Sequence, residues 1–158
     1  MEYEHEGSYV IVDRDAPTCT IAPASDEKYT GEDKKRWFSD SPDFIITATD
    51  KSSSVVSGIN NIWIKVNNIE KTISGIIKDE VDNYKIHLKH DTAKPELVTV
   101  FIFDGIQKTE AGSFDLYDTG GRVSVEINCE DAAGNKGKSV SEEIFIDIVS
   151  NEQGSEEE

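Results

Sequence analysis

Val123-Ser124-Val125-Glu126-Ile127-Asn128-Cys129 alternates without a break, with Val123, Val125, Ile127 and Cys129 on one side and Ser124, Glu126 and Asn128 on the other. A period of two is what an antiparallel strand shows when one face lies on a core and the other in water. Downstream, Asp131-Ala132-Ala133-Gly134-Asn135 reads as a turn, and residues 144–149 form a last apolar, β-branched strand. Upstream, residues 113–117 form a short strand that ends in the Gly120-Gly121 turn.

The same pattern continues toward the N-terminus. Residues 72–77, 84–89 and 97–103 read as strands, separated by polar breaks at 79–83, 90–96 and Asp104-Gly105. Residues 44–49 and 62–66 are strands rich in β-branched side chains, joined by a loop over 50–58. Residues 23–42 form a long polar connection with Trp37 and Phe38 as its main apolar pair, and one helical turn is expected around 32–36. Residues 18–22 alternate, with Cys19 and Ile21 on one face, and 9–12 form a short apolar run. Eight to ten short strands with no helical period predict an all-β sandwich or barrel. A parallel sheet would need crossover helices of a dozen residues or more, which the chain does not offer.

At 158 residues the chain has room for one good core. The expected division is an N-terminal segment or extra edge strand over 1–14, a sandwich over 15–149 and an acidic tail over 150–158. With 32 acidic against 16 basic residues the net charge is -16, a field that repels a phosphate backbone or an anionic membrane surface and favours cations. No apolar run approaches the ~20 residues a membrane helix needs. Residues 1–7 are acidic and polar, so no secretory leader is expected in the chain.

Several blocks in order resemble a known family. Asp15-Ala16-Pro17-Thr18, Trp37 ahead of Thr47-Ala48-Thr49-Asp50, Ser57-Gly58-Ile59, Ile62-Trp63-Ile64-Lys65-Val66-Asn67 and Asp131-Ala132-Ala133-Gly134-Asn135 together resemble the bacterial immunoglobulin-like domains. The likeness spans residues 15–147. It implies an immunoglobulin-like antiparallel β-sandwich of Greek-key type. The region 72–114 is longer than in compact versions, so an extra hairpin is expected in the middle. It further implies an extracellular or bacterial cell-surface location and neighbouring domains of the same parent chain as partners. The run Tyr9-Val10-Ile11-Val12-Asp13 also resembles Ile144-Phe145-Ile146-Asp147-Ile148, as a strand belonging to a preceding repeat would.

In such a sandwich, the start of the first strand, the loop after the second and the loop before the last share one end. Those positions hold Asp13, Asp15, Asp50, Asp131 and Asn135. Calcium takes six to eight hard oxygen ligands, which three loops can supply. The same residue types also serve simply as turn and strand-end residues. By parity Cys19 and Cys129 face the core, either as a bridge closing a loop of ~110 residues, with a chain-entropy gain of about 4–5 kcal/mol, or as two buried thiols. Trp63 falls on the outer face of its strand and, with Tyr117, is a candidate contact for a glycan or host protein, or else is covered by a neighbouring segment. His87 and His90, three apart on a strand, point to opposite faces and cannot share a metal. Neither a nucleophile motif nor a phosphate loop is present, so no catalytic residue is assigned. The expected function is a non-catalytic spacer or adhesin-stalk repeat. The alternatives are a module that binds glycan or host protein, and an accessory domain of a secreted hydrolase.

Overall fold

The period of two produces two β-sheets packed face to face in the computed structural model, which describes residues 12–51 and 56–148. The strands are β1 (Thr18–Pro23), β2 (Tyr29–Thr30), β3 (Arg36–Phe38), β4 (Phe44–Thr49), β5 (Ile59–Val66), β6 (Ile69–Ile73), β7 (Glu80–His90), β8 (Leu97–Phe103), β9 (Lys108–Asp115), β10 (Arg122–Asp131) and β11 (Val140–Ile146). One sheet has the order β1-β4-β7-β8-β9 and the other β2-β3-β11-β10-β5-β6. Every pairing is antiparallel except that of β3 with β11. The protein is an all-β sandwich. Among the described residues no helix is long and apolar enough to cross a membrane.

The core follows the alternation. Phe44 and Ile46 of β4, Ile86 of β7 and Val98 and Val100 of β8 form one cluster with Ile62 of β5, Val123, Val125 and Ile127 of β10 and Ile144 of β11. Each such side chain, taken fully out of water, contributes about 1.5–3 kcal/mol. Within the six-stranded sheet β10 lies between β5 and β11, with Ile127 opposite Ile64 on one side and Val140 on the other.

Several local expectations change. Residues 23–42 contain no helical turn at 32–36: Lys34 takes a positive φ of 68° and donates to Gly31 O, closing a hairpin between β2 and β3. Trp37 then stacks against Phe145 with ring centroids 5.1 Å apart, Phe38 enters the core, and Arg36 forms an ion pair with Glu142. Tertiary pairing with β11 decides this segment, not local propensity. The strand placed at 72–77 lies at Ile69–Ile73, because a two-residue connection at Asn67-Asn68 starts it earlier. The break placed at 79–83 is shorter, since β7 already begins at Glu80.

The expected middle hairpin is a three-strand meander, β7-β8-β9, that supplies most of the five-stranded sheet. The short strand expected at 113–117 is the end of β9 followed by a single 3-10 turn, Leu116–Thr119, capped by Asp115 Oδ1, which accepts from Tyr117 N at 2.8 Å. Gly121 closes this turn with φ +89°, and a Cβ there would stand 2.6 Å from Ile146 O. The expected strand at 9–12, apart from Val12, and the acidic tail at 150–158 lie outside the described residues.

A carboxylate pole as candidate cation site

Three chain segments converge at one end of the sandwich. Asp13 precedes β1, Asp50 follows the last residue of β4, and Asp131 ends β10. Thr18 pairs with Thr49, and Asp131 pairs with Ile59 across an irregularity at Glu130, so the three segments reach the same level. All three carboxylates are buried, at 7%, 1% and 1% exposure. Each contributes one oxygen to a group whose members lie within 4.8 Å of one another.

Local hydrogen bonds fix two of the three. Asp13 Oδ2 accepts from Ser57 N at 3.0 Å and Ser57 Oγ at 2.6 Å, and its Oδ1 accepts from Asp15 N at 3.1 Å. The Ser57 hydroxyl is the main reason the Asp13 carboxyl is held below its ordinary range, against the upward push of burial. Asp131 Oδ1 accepts from Asn135 N at 2.8 Å and Ala133 N at 3.0 Å. Asn135 Nδ2 donates both to Asp131 Oδ2 at 2.9 Å and to Asp13 O at 2.7 Å, bracing the two segments together.

Asp50 differs. Its Oδ2 accepts from Gly58 N at 2.7 Å, but among the described residues its buried Oδ1 meets no donor. Burial, opposed by the Gly58 bond and reinforced by the charges of Asp13, Asp131 and Asp79, raises its pKa. None of the three carboxylates forms a salt bridge with a lysine or arginine among the described residues. At a separation of 4.8 Å and an effective dielectric near 20, each charged pair repels by about 3.5 kcal/mol. Buried like charges of this kind call for protons or a cation. Oxygen-only donors select a hard cation, and around calcium opposite ligands stand roughly 4.6–5.2 Å apart, twice its usual bond length. Oxygens within 4.8 Å of one another are close enough to share one such ion.

Of the five residues expected at the pole, Asp13, Asp50 and Asp131 meet and Asn135 braces them. Asp15 does not join: it lies in a non-strand segment, its side chain is exposed, and only its N–H reaches Asp13. Ser57 escaped the sequence reading, since its partner lies 44 positions away.

The remaining candidates are separate. Cys19 and Cys129 are buried free thiols on the inward faces of β1 and β10, in different sheets. The neighbouring Cys19 and burial push the Cys129 thiol up. Trp63 is half-buried on the outer face of the six-stranded sheet with Lys136 Nζ 5.0 Å over its ring. It floors a shallow groove of about 360 Å³ that also takes in Lys65, Glu70, Thr72, Glu126 and Asn128. Tyr117 stands exposed on the 3-10 turn, apart from this groove. A second groove of about 530 Å³ beside Tyr29, Trp37 and Asp147 was signalled only by the aromatic pair at 37–38. His87 and His90 hydrogen-bond Asp43 and Ser41 respectively, away from the pole.

No protein-family model, curated protein or solved structure matches the chain.

Proposed function

We propose that the chain is a non-catalytic, immunoglobulin-like structural module of a bacterial surface protein, a spacer or adhesin-stalk repeat stiffened by calcium at its carboxylate pole. The observation that carries this reading is Asp50, which among the described residues keeps one buried oxygen without a donor and whose carboxylate shares with Asp13 and Asp131 a group of oxygens within 4.8 Å of one another. Asp13 stands on the segment that leads into β1, so a cation held there ties that segment to the ends of β4 and β10. Such a tie suits a joint between successive domains. Extracellular modules bind calcium at roughly 10⁻⁴–10⁻³ M, within reach of three protein carboxylates completed by water. The near-complete burial of the cluster supports a structural role, since a substrate would have no access to it.

Thermal melting with and without millimolar calcium tests the proposal. The midpoint should rise with calcium and fall back on chelation, whereas an unchanged midpoint would sink the cation reading.

A second reading, recognition of a glycan or host protein, is favoured by the groove over Trp63, where an indole face stands among acidic, basic and amide side chains. Lys136 already occupies that face, which weighs toward a structural tryptophan. Glycan binding abolished by Trp63→Ala would favour recognition, and no binding by the unmodified protein would count against it.

A further inference from the structure

Directly beneath the carboxylate pole lie the two cysteines. Cys19 is cross-strand partner to Ala48, two residues before Asp50, and Cys129 stands two residues before Asp131 on the same inward face of β10. The thiols thus form the layer of the core next to the carboxylates. They come from different sheets: among the described residues β1 pairs only with β4, and β10 pairs with β5 and β11, so no backbone ladder joins the strand after Asp13 to the strand ending in Asp131. One short stretch closes over both sulfurs. Gly137 N donates to Cys129 O at 2.9 Å, the position of a Cβ on Gly137 is 3.5 Å from Cys129 Sγ, and Lys138 O is 3.9 Å from Cys19 Sγ. A Cβ on Gly137 would also stand 2.3 Å from Pro17 O, so glycine is what allows this stretch to lie flat over the pair.

We propose that Cys19 and Cys129 are the site of a disulfide, and that its closure tightens cation binding at the pole above it. The second half rests on the calcium reading given under Proposed function; the first half does not. The bond would be the one covalent tie between the strand entered from Asp13 and the strand ending at Asp131, and would hold these carboxylates together before a cation arrives. The oxidant is a small-molecule disulfide. The Cys19 thiolate attacks one of its sulfurs, releasing one thiol and leaving a mixed disulfide on Cys19. The Cys129 sulfur then attacks Cys19 Sγ, expelling the second small thiol. Two protein thiols and one disulfide become one protein disulfide and two small thiols. Both protons end on the released thiols and two electrons pass to the oxidant. Because both sulfurs are buried, the exchange takes place as the chain folds, before residues 137–138 close over them.

Linkage makes the coupling reciprocal: the factor by which the bridge tightens calcium is the factor by which calcium favours the bridge. The test refolds the full chain in oxidised and reduced glutathione, with calcium or with a chelator, followed by alkylation under denaturing conditions and mass measurement. The expected product lacks two hydrogens and takes up no alkylating reagent. Its melting midpoint in chelator is higher than that of the reduced protein by roughly 10 °C. Calorimetric titration should give calcium a dissociation constant roughly fivefold or more lower for the oxidised form, and calcium should raise the exchange equilibrium constant by that same factor. Two alkylated cysteines after oxidative refolding overturn the bridge. A bridge with equal calcium affinity in both forms overturns the coupling. A bridge with no calcium binding in either form also overturns the coupling, and in that case the error lies in the cation reading of the pole and not in the disulfide.

Discussion

Replacing Asp50 by asparagine should make the calcium-free protein more stable and remove its response to calcium. In the native chain Asp50 Oδ1 is buried without a donor among the described residues, and the Asp50 carboxylate has two others within 4.8 Å of it. Full ionisation of all three would place about 3.5 kcal/mol of repulsion on each pair involving Asp50, and burial, reinforced by those neighbouring charges, raises the pKa of Asp50. Asparagine retains an oxygen to accept from Gly58 N and adds two N–H donors facing Asp13 and Asp131. The calcium-free variant should therefore gain about 1–3 kcal/mol at pH 7, or roughly 2–10 °C in melting midpoint for a chain of this size.

Calcium acts in the opposite direction. At a hundredfold excess over its dissociation constant it stabilises the native protein by about 2.7 kcal/mol, and asparagine supplies neither the charge nor the second oxygen. The sign with pH follows from the raised folded pKa. Below its ordinary value of 3.8, Asp50 is protonated in both the folded and unfolded states and the variant should gain little. As pH rises through the folded pKa, the native chain loses stability that the asparagine variant keeps, so the gap widens and then levels. Differential scanning calorimetry of both proteins in chelator and in calcium from pH 3 to pH 8 reads all of this. A variant that melts lower than the native chain in chelator, or that keeps the whole calcium shift, would refute the reasoning.

Other consequences are less elaborate. Ser57→Ala removes the hydroxyl that chiefly holds Asp13 in its charged form, and should cost about 1–3 kcal/mol in denaturant unfolding. Since Asp13 has a lowered folded pKa, its share of stability is present above 3.8 and lost as pH falls through that lower value; in the Ser57→Ala protein this share should be smaller and its loss complete at a higher pH. Ile127→Ala, fully buried between the sheets, should cost about 2–5 kcal/mol without changing calcium affinity in the folded protein, measured by calorimetric titration. Gly121→Ala forces a Cβ to within 2.6 Å of Ile146 O at positive φ and should lower stability by more than about 1 kcal/mol, visible as a lower denaturant midpoint.

The sandwich was legible where one face of a strand is wholly apolar. Residues 123–129, 44–49 and 62–66 became β10, β4 and β5 because alternation alone tells which side is buried. β2 and β3 were not legible, being two and three residues long and owing their existence to the pairing of Trp37 and Phe38 with Phe145 and Ile146. β9 begins earlier than its apolar residues announce, since Lys108 to Glu110 are polar and extend only because β8 supplies the ladder. At the pole, the expectation that the segment before β1, the loop after β4 and the end of β10 share one end put these residues together, and Asp13, Asp50 and Asp131 meet there. Asp15 was drawn in with them because nothing in a short non-strand segment states which of two nearby aspartates turns inward. Ser57 was missed because a hydroxyl declares no partner in sequence. For the cysteines, parity gave the inward direction, while their contact depends on how two sheets are laid together.

Diffraction from crystals grown in millimolar calcium, with anomalous data, tests the central claim most directly. The account predicts one calcium peak 2.3–2.6 Å from oxygens of Asp13, Asp50 and Asp131, with Asp50 Oδ1 among its ligands and waters completing the shell. A calcium-soaked crystal with no ion at the pole, and Asp50 hydrogen-bonded as an acid to Asp13 or Asp131, would contradict it.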